Sequence, residues 1–294
     1  MGAVNSRAGR LASAVATALL ALAAPAASAR DLVLGLIPAE NNEEMVRRFE
    51  PMRAYLEQKL GERVKMFTAT DYTGVIEAMR KKRVDIAFFG PMSYILAEQE
   101  AGAQAFAVGI RAGSASATYR SVFVARCGSG IRGIRDLKGR SVAFVDPAST
   151  SGGLVPTFMV KRETGQMPQA FFGKFTYAGT HDAAELAVKN GTVDAAADSD
   201  VTYERMVAKG LISRETNCIV ATSAPIPGPP IAWRADLPHE LRTRIQEAVL
   251  NAHKETDISG YVPLSRYAPV TASEYDGIRD MARELGLTKE QMLR

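Results

Sequence analysis

The sequence predicts an α/β protein of two lobes, each a mostly parallel sheet flanked by helices. Three observations lead there. Short apolar runs alternate with helically spaced segments over residues 30–101 and again over residues 119–222, and such alternation implies parallel strands covered by helices. A chain of 294 residues is too long for a typical small domain and suggests one large or two mid-sized units. Pro225, Pro227, Pro229 and Pro230 then stiffen the chain, and the elements after them are better used covering the first unit than making a third. The second unit is therefore inserted into the first. Residues 30–122 with 226–294 make lobe 1, and residues 123–225 make lobe 2.

Each element has its own signal. Residues 32–37 are a continuous apolar strand ended by Pro38. Met45, Phe49, Met52, Leu56 and Leu60 recur at helical spacing, and Gly61 marks the stop of a helix over 42–60. Residues 64–68 are a second strand, and Asp71 caps a helix running to Arg80. Residues 84–89 are a third strand, broken by Gly90 and Pro91 before a helix over 92–101. Residues 119–126 are a strand, residues 134–139 a single helical turn, and residues 141–145 a buried strand. A helix follows to about Thr164, then a strand over 171–177. Thr180 and Gly191 bound another helix. Residues 193–197 (strand), 201–209 (helix) and 218–222 (strand) complete the second unit. The prolines keep their segment from being a central strand, and residues 231–233 return as one. Helices follow over 239–254 and 275–285, with Ser273 as a cap, and Thr288 caps a last short one.

Composition narrows the function classes. Hydrophobic content of 47% and charge of 23% are ordinary for a globular protein with a full core. Arg7 and Arg10, an apolar run over 11–24 and the small residues Ala27, Ser28 and Ala29 predict a signal peptide over residues 1–29, too short in its apolar part to span a membrane comfortably. Removing its two arginines takes the formal charge from +4 to +2, and no basic stripe remains that would read as a nucleic-acid surface. Cys127 and Cys218 remain in an exported chain, where an even count favours one disulfide, two buried thiols being the alternative. No cofactor is expected, and no His, Cys and Asp cluster has metal-ligand spacing.

The stretch that carries chemistry follows the strand over 141–145. Ser149, Thr150 and Ser151 stand together before Gly152, Gly153 and an amphipathic segment. A helix N-terminus offers unpaired N–H groups and partial positive charge, three hydroxyls add donors, and the glycines allow close approach of a ligand to the backbone. This is the pattern of an oxyanion cradle, although Ser and Thr are also ordinary helix caps.

Five collinear segments then resemble a known family. They are residues 70–80 (TDYTGVIEAMR), 84–94 (VDIAFFGPMSY), 137–152 (LKGRSVAFVDPASTSG), 179–184 (GTHDAA) and 230–238 (PIAWRADLP). Together they are similar to the periplasmic phosphonate, phosphite and phosphate-binding proteins of ABC transporters, with the type II periplasmic binding protein fold. The resemblance implies an oxyanion site shared by both lobes, with Tyr72 and Tyr119 as cleft tyrosines, Ser149, Thr150 and Ser151 as a hydroxyl triplet, and His181 at the next helix start. It implies an ABC permease as membrane partner, a periplasmic location and no catalysis. A tetrahedral PO₃ group offers acceptors, and hydroxyls, amides and imidazole N–H are donors, so no Lys or Arg is required. Tyr94 and Trp233 read as packing residues. Family members that take aminoalkylphosphonates hold the ammonium with acidic residues, whereas this chain has Gly228 and Pro229 at one such place and Val201 at the other, with Asp198 and Asp200 nearby. The expected ligand is therefore phosphite, phosphate, hypophosphite or a small alkylphosphonate.

Two other functions fit the same residues. One is a periplasmic oxyanion sensor acting on a two-component kinase. The other, more remote, is a serine hydrolase using Ser149 or Ser151 with His181, for which the sequence lacks a Gly-x-Ser-x-Gly elbow. Hinge bending at residues 119–126 and 218–233 is expected to close the cleft.

Overall fold

A computed structural model describes residues 31–260 and 262–293, so the expected signal peptide lies outside the described residues. The chain opens with β1 (Leu32–Leu36), α1 (Asn42–Leu60), β2 (Val64–Thr68), α2 (Tyr72–Arg80), β3 (Ile86–Phe88) and α3 (Pro91–Ala101). Local chemistry sets these bounds. The Asn41 side chain accepts from the Glu44 amide at 3.0 Å, and Gly61 closes α1 at φ 63°, where a Cβ would be strained. Asp71 accepts from the Gly74 amide at 2.7 Å to start α2. Along α1, Met45, Phe49, Met52 and Leu56 form one buried stripe.

Next come β4 (Ala103–Arg111), β5 (Thr118–Tyr119) and β6 (Ser121–Arg126). A 3₁₀ turn over Ile134–Leu137 leads to β7 (Ser141–Phe144). A π-helical turn over Thr150–Leu154 precedes α4 (Val155–Thr164). The expected strand over 171–177 is shorter. Pro168 starts a one-turn helix, α5 (Pro168–Phe171), and only β8 (Lys174–Tyr177) is extended. The chain continues through α6 (His181–Lys189), β9 (Ala195–Ser199), α7 (Asp200–Ala208), β10 (Asn217–Thr222) and β11 (Ile226–Pro227). It ends with β12 (Pro230–Arg234), α8 (His239–Asn251), β13 (Leu264–Pro269), α9 (Asp276–Glu284) and α10 (Lys289–Met292). Thr271, not Ser273, makes the capping box before α9, with Glu274 reaching back to its amide.

Two main sheets result. The first has six strands in the order β13-β4-β12-β3-β1-β2, and the second has five in the order β10-β6-β9-β7-β8. In each, the expected parallel strands form one half, β3-β1-β2 and β9-β7-β8, with antiparallel strands completing the other. Sequence reading leaves β4 and β13 unassigned. β4 reads AQAFAVGIR, in which small residues blur any alternation, and β13 is an edge strand whose side chains are exposed or half-buried apart from Tyr267. β12 starts at Pro230, a first-strand position that loses no central ladder bond, and lies between β3 and β4.

The chain passes between the two sheets twice, and the crossings pair with one another. β5 and β11 form a two-stranded antiparallel ribbon, extended by the Gly228 amide donating to the Ala117 carbonyl at 2.7 Å. The expected crossings over 119–126 and 218–233 are therefore too broad. β6 and β10 belong wholly to the second sheet, where Cys127 and Cys218 join in a disulfide with Cα atoms 5.1 Å apart. On one face of that sheet Phe144 meets Phe123, Phe172 and Phe175 edge-on, with ring centroids 5.9, 6.0 and 4.9 Å away.

Candidate functional site

The C-terminal ends of the parallel strands from both sheets converge. Ala39 follows β1, Tyr72 follows β2, Gly90 follows β3, Ser149 to Ser151 follow β7 and His181 follows β8. Crevices at such ends are where open α/β sheets place ligands. Tyr72, Tyr119, Ser149, Thr150, Ser151 and His181 all line one small cavity. Ile37, Phe88 and Pro229 also line it, and among the described lining residues there is no Lys or Arg.

The hydroxyl triplet is held by a tight backbone. Ser149 precedes the π turn, and its side chain accepts from the Gly152 amide at 3.2 Å. The wide turn is closed by the Leu154 amide donating to the Ser149 carbonyl at 2.9 Å. The glycines also serve the turn itself, a role the sequence does not show. A Cβ on Gly152 would lie 2.3 Å from Val145 Cγ2, and one on Gly153 would lie 2.3 Å from the Asp146 carbonyl oxygen. The turn thus folds back on the end of β7, and the Val145 amide donates to the Gly152 carbonyl at 2.7 Å.

The three hydroxyls differ in what they already do. Thr150 Oγ1 accepts from the Met92 amide at 2.8 Å, so it bridges to the first turn of α3 while keeping its own proton to donate. The Ser151 carbonyl accepts from the Ser121 hydroxyl at 2.6 Å, and the Ser151 hydroxyl has no protein partner among the described residues. The amides of Thr150 and Ser151 also have no backbone acceptor among the described residues. All three side chains are buried.

His181 opens α6, with Thr180 as cap, and its amide donates to the Ala39 carbonyl at 3.0 Å. Its Nδ1 meets the Asp198 carboxylate, which leaves Nε2 for other partners. Beneath lies a buried acid pair. Glu185 and Asp198 are both fully buried, and Asn217 Nδ2 donates to Glu185 at 2.7 Å. Burial pushes Glu185 well above the usual carboxylate range, and the neighbouring Asp198 charge adds to this. Burial thus favours the neutral form of Glu185 beside Asp198. Burial pushes Asp198 up to about 8 and His181 down to about 4. Asp146 accepts from the Ala148 amide at 2.8 Å and from the Tyr72 amide, and burial raises it to about 6.

Sequence reasoning missed the roles of Asp146, Glu185 and Asp198. Asp198 was open as a partner for a ligand ammonium, but it is spent on His181. Asp200 is spent as well, pairing with Arg111 at 3.4 Å and accepting from the Arg120 amide at 3.0 Å. Tyr94 packs on Tyr275 at 5.0 Å and donates to Glu98, and Trp233 stacks on Phe106 at 4.0 Å.

Several contacts join segments of the two sheets around the cavity. Glu40 pairs with Arg205, Glu44 with Lys209, and Asn41 Nδ2 donates to Asp182 at 3.1 Å. Among the described residues no helix is long and apolar enough to cross a membrane.

Comparison with known proteins gives a consistent result. Residues 34–275 match the family model described as ABC transporter, phosphonate, periplasmic substrate-binding protein. The chain is 31% identical to the phosphate-import protein PhnD of Mycolicibacterium smegmatis, covering 94% of this chain and 96% of that one. It is 32% identical to the phosphonates-binding periplasmic protein of Escherichia coli, covering 88% and 77%. The crystal structure of a binding protein component of an ABC phosphonate transporter from Pseudomonas aeruginosa superposes with a TM-score of 0.80 at 27% identity, covering 89% and 87%. With its two helix-flanked sheets and their cleft, the chain belongs to the periplasmic substrate-binding proteins of phosphonate ABC transporters.

Proposed function

We propose that the cavity binds the PO₃ end of a phosphorus oxyanion and that the protein hands this ligand to an ABC permease. The observation that carries the reading is the donor set. Three hydroxyls, two tyrosines, a histidine and the free amides of the π turn meet in one small cavity without a cationic side chain. Such donors suit an anion with several acceptor oxygens, and each bond to a charged oxygen is worth more than a neutral one. One relative is named for phosphate and another for phosphonates, which supports the same ligand class.

The two sheets are then the cores of two lobes, hinged on the ribbon of β5 and β11. Residues 1–29 are removed as a signal peptide on export to the periplasm. Closing the lobes brings Tyr72 and the first turn of α3 to the hydroxyl triplet, and the Thr150 to Met92 bond is made across the cleft. The protein carries out no chemical step. His181 with Asp198 has the form of a base and its orienting acid, but among the described residues neither Ser149 nor Ser151 hydrogen-bonds to the imidazole. Titration calorimetry with phosphite, phosphate and methylphosphonate tests the reading, repeated on Ser149→Ala and His181→Ala. Binding by the parent and its loss in both folded variants supports the cradle; equal affinity in all three proteins overturns it.

A further inference from the structure

A second cavity adjoins the oxyanion cavity, and the two share Phe88, Tyr119 and Pro229 as wall. Its chemistry is the opposite of the cradle. Val201, Val262, Leu264 and Tyr267 supply apolar walls, and Arg111 is the one charged residue among the described lining. Arg111 is held at 3.4 Å by Asp200, so that carboxylate is engaged, and the described lining holds no Asp or Glu.

Gly109, Ala117 and Gly228 add small residues to the lining. The two glycines are packed on their neighbours. A Cβ on Gly109 would come within 2.6 Å of Leu264 Cδ1, and one on Gly228 would be 3.0 Å from the Ala117 carbonyl oxygen and 3.0 Å from Val108 Cγ2. A side chain at either place would therefore require a shift of the wall.

We infer that this second cavity is the subsite for the ligand's organic substituent, and that it selects an apolar alkyl or aryl group on phosphorus. The inference rests on the oxyanion reading of the cradle and sharpens it to a substrate class. An apolar chain leaving phosphorus past Tyr119 exchanges water for Val201, Leu264 and Tyr267. An ammonium there meets a desolvating wall and a neighbouring guanidinium, with no acidic side chain left to pair with it.

The test is a homologous series by titration calorimetry on the purified protein: phosphite, then methyl-, ethyl-, propyl- and butylphosphonate, with 2-aminoethylphosphonate set against propylphosphonate. Affinity is expected to rise roughly three- to fourfold per methylene, as burial of a CH₂ dictates. The aminoethyl compound is expected to bind at least tenfold more weakly than propylphosphonate. Ala117→Leu should flatten the series, and Leu264→Ala should extend its rise to hexylphosphonate; either variant alone suffices if the other does not fold. Affinity that stays level or falls from methyl to butyl, while phosphite or methylphosphonate still binds, overturns the substituent subsite and leaves the cradle standing. No binding of any member overturns both.

Discussion

Ser151→Ala separates ligand binding from folding better than any other change at the cradle. The Ser151 hydroxyl has no protein partner among the described residues, whereas its carbonyl, which the substitution keeps, accepts from Ser121 at 2.6 Å. The side chain is buried and lines the cavity, so the hydroxyl has the ligand as its natural acceptor. Removing one hydrogen bond to a charged group costs about 1.5–3 kcal/mol, or roughly 10- to 150-fold in Kd. Removing an unpaired hydroxyl from the ligand-free protein should leave its stability within about 0.5 kcal/mol. Calorimetric titration with phosphite or methylphosphonate gives the first quantity, and urea unfolding without ligand gives the second. An unchanged Kd refutes the assignment. A loss of affinity matched by an equal loss of ligand-free stability refutes the reasoning too, because it would show that the hydroxyl has a structural partner.

Other changes at the site should behave differently. Thr150→Val removes the acceptor of the Met92 amide as well as a ligand donor, so it should weaken binding by about 1–3 kcal/mol more than Ser151→Ala does, read by titration calorimetry on the two variants. His181 Nδ1 is committed to Asp198, so Nε2 is the imidazole atom left for an anion. Burial raises Asp198 to about 8 and lowers His181 to about 4, so near neutral pH a protonated Asp198 donates to Nδ1 and the neutral imidazole carries its proton at Nε2, ready to donate. Affinity should then hold through neutral pH and fall as the pH rises past about 8, where Asp198 loses that proton. Titration calorimetry across this range measures it, and affinity that stays level or rises above that pH contradicts it. Replacing both Cys127 and Cys218 by Ser, which opens a link across 91 positions, should cost about 2–5 kcal/mol of stability and leave Kd for phosphite within about twofold, because the bond lies in the second sheet away from the cavity.

How much of this was legible in the sequence differs by element. α1 and β2 were read at their observed bounds because strong periodicity and a glycine stop coincide. β4 was missed because Ala103, Ala105, Ala107 and Gly109 carry too little side chain to show an alternation, and its strand character comes from pairing with β12 and β13. At the site, Ser149 to Ser151, Tyr72, Tyr119 and His181 were all singled out, and the structure brings them to one cavity. The layer beneath was not legible. Glu185 and Asp198 look like ordinary residues of a helix and a strand, and only the packing of α6 on β9 turns them into a buried acid pair under His181. The reason for Gly152 and Gly153 was likewise hidden, since the π turn that presses them on Val145 and Asp146 has no local sequence signature.

The central claim is that this cavity closes on a phosphorus oxyanion. Thermal unfolding of the purified protein with and without saturating phosphite, phosphate or methylphosphonate tests it most directly. Ligand at 100 times Kd stabilises by about 2.7 kcal/mol, which for a protein near this size raises Tm by roughly 5–10 °C. A rise of that order is expected with at least one of the three, and a much smaller one in His181→Ala. An unchanged Tm with all three at millimolar concentration contradicts it.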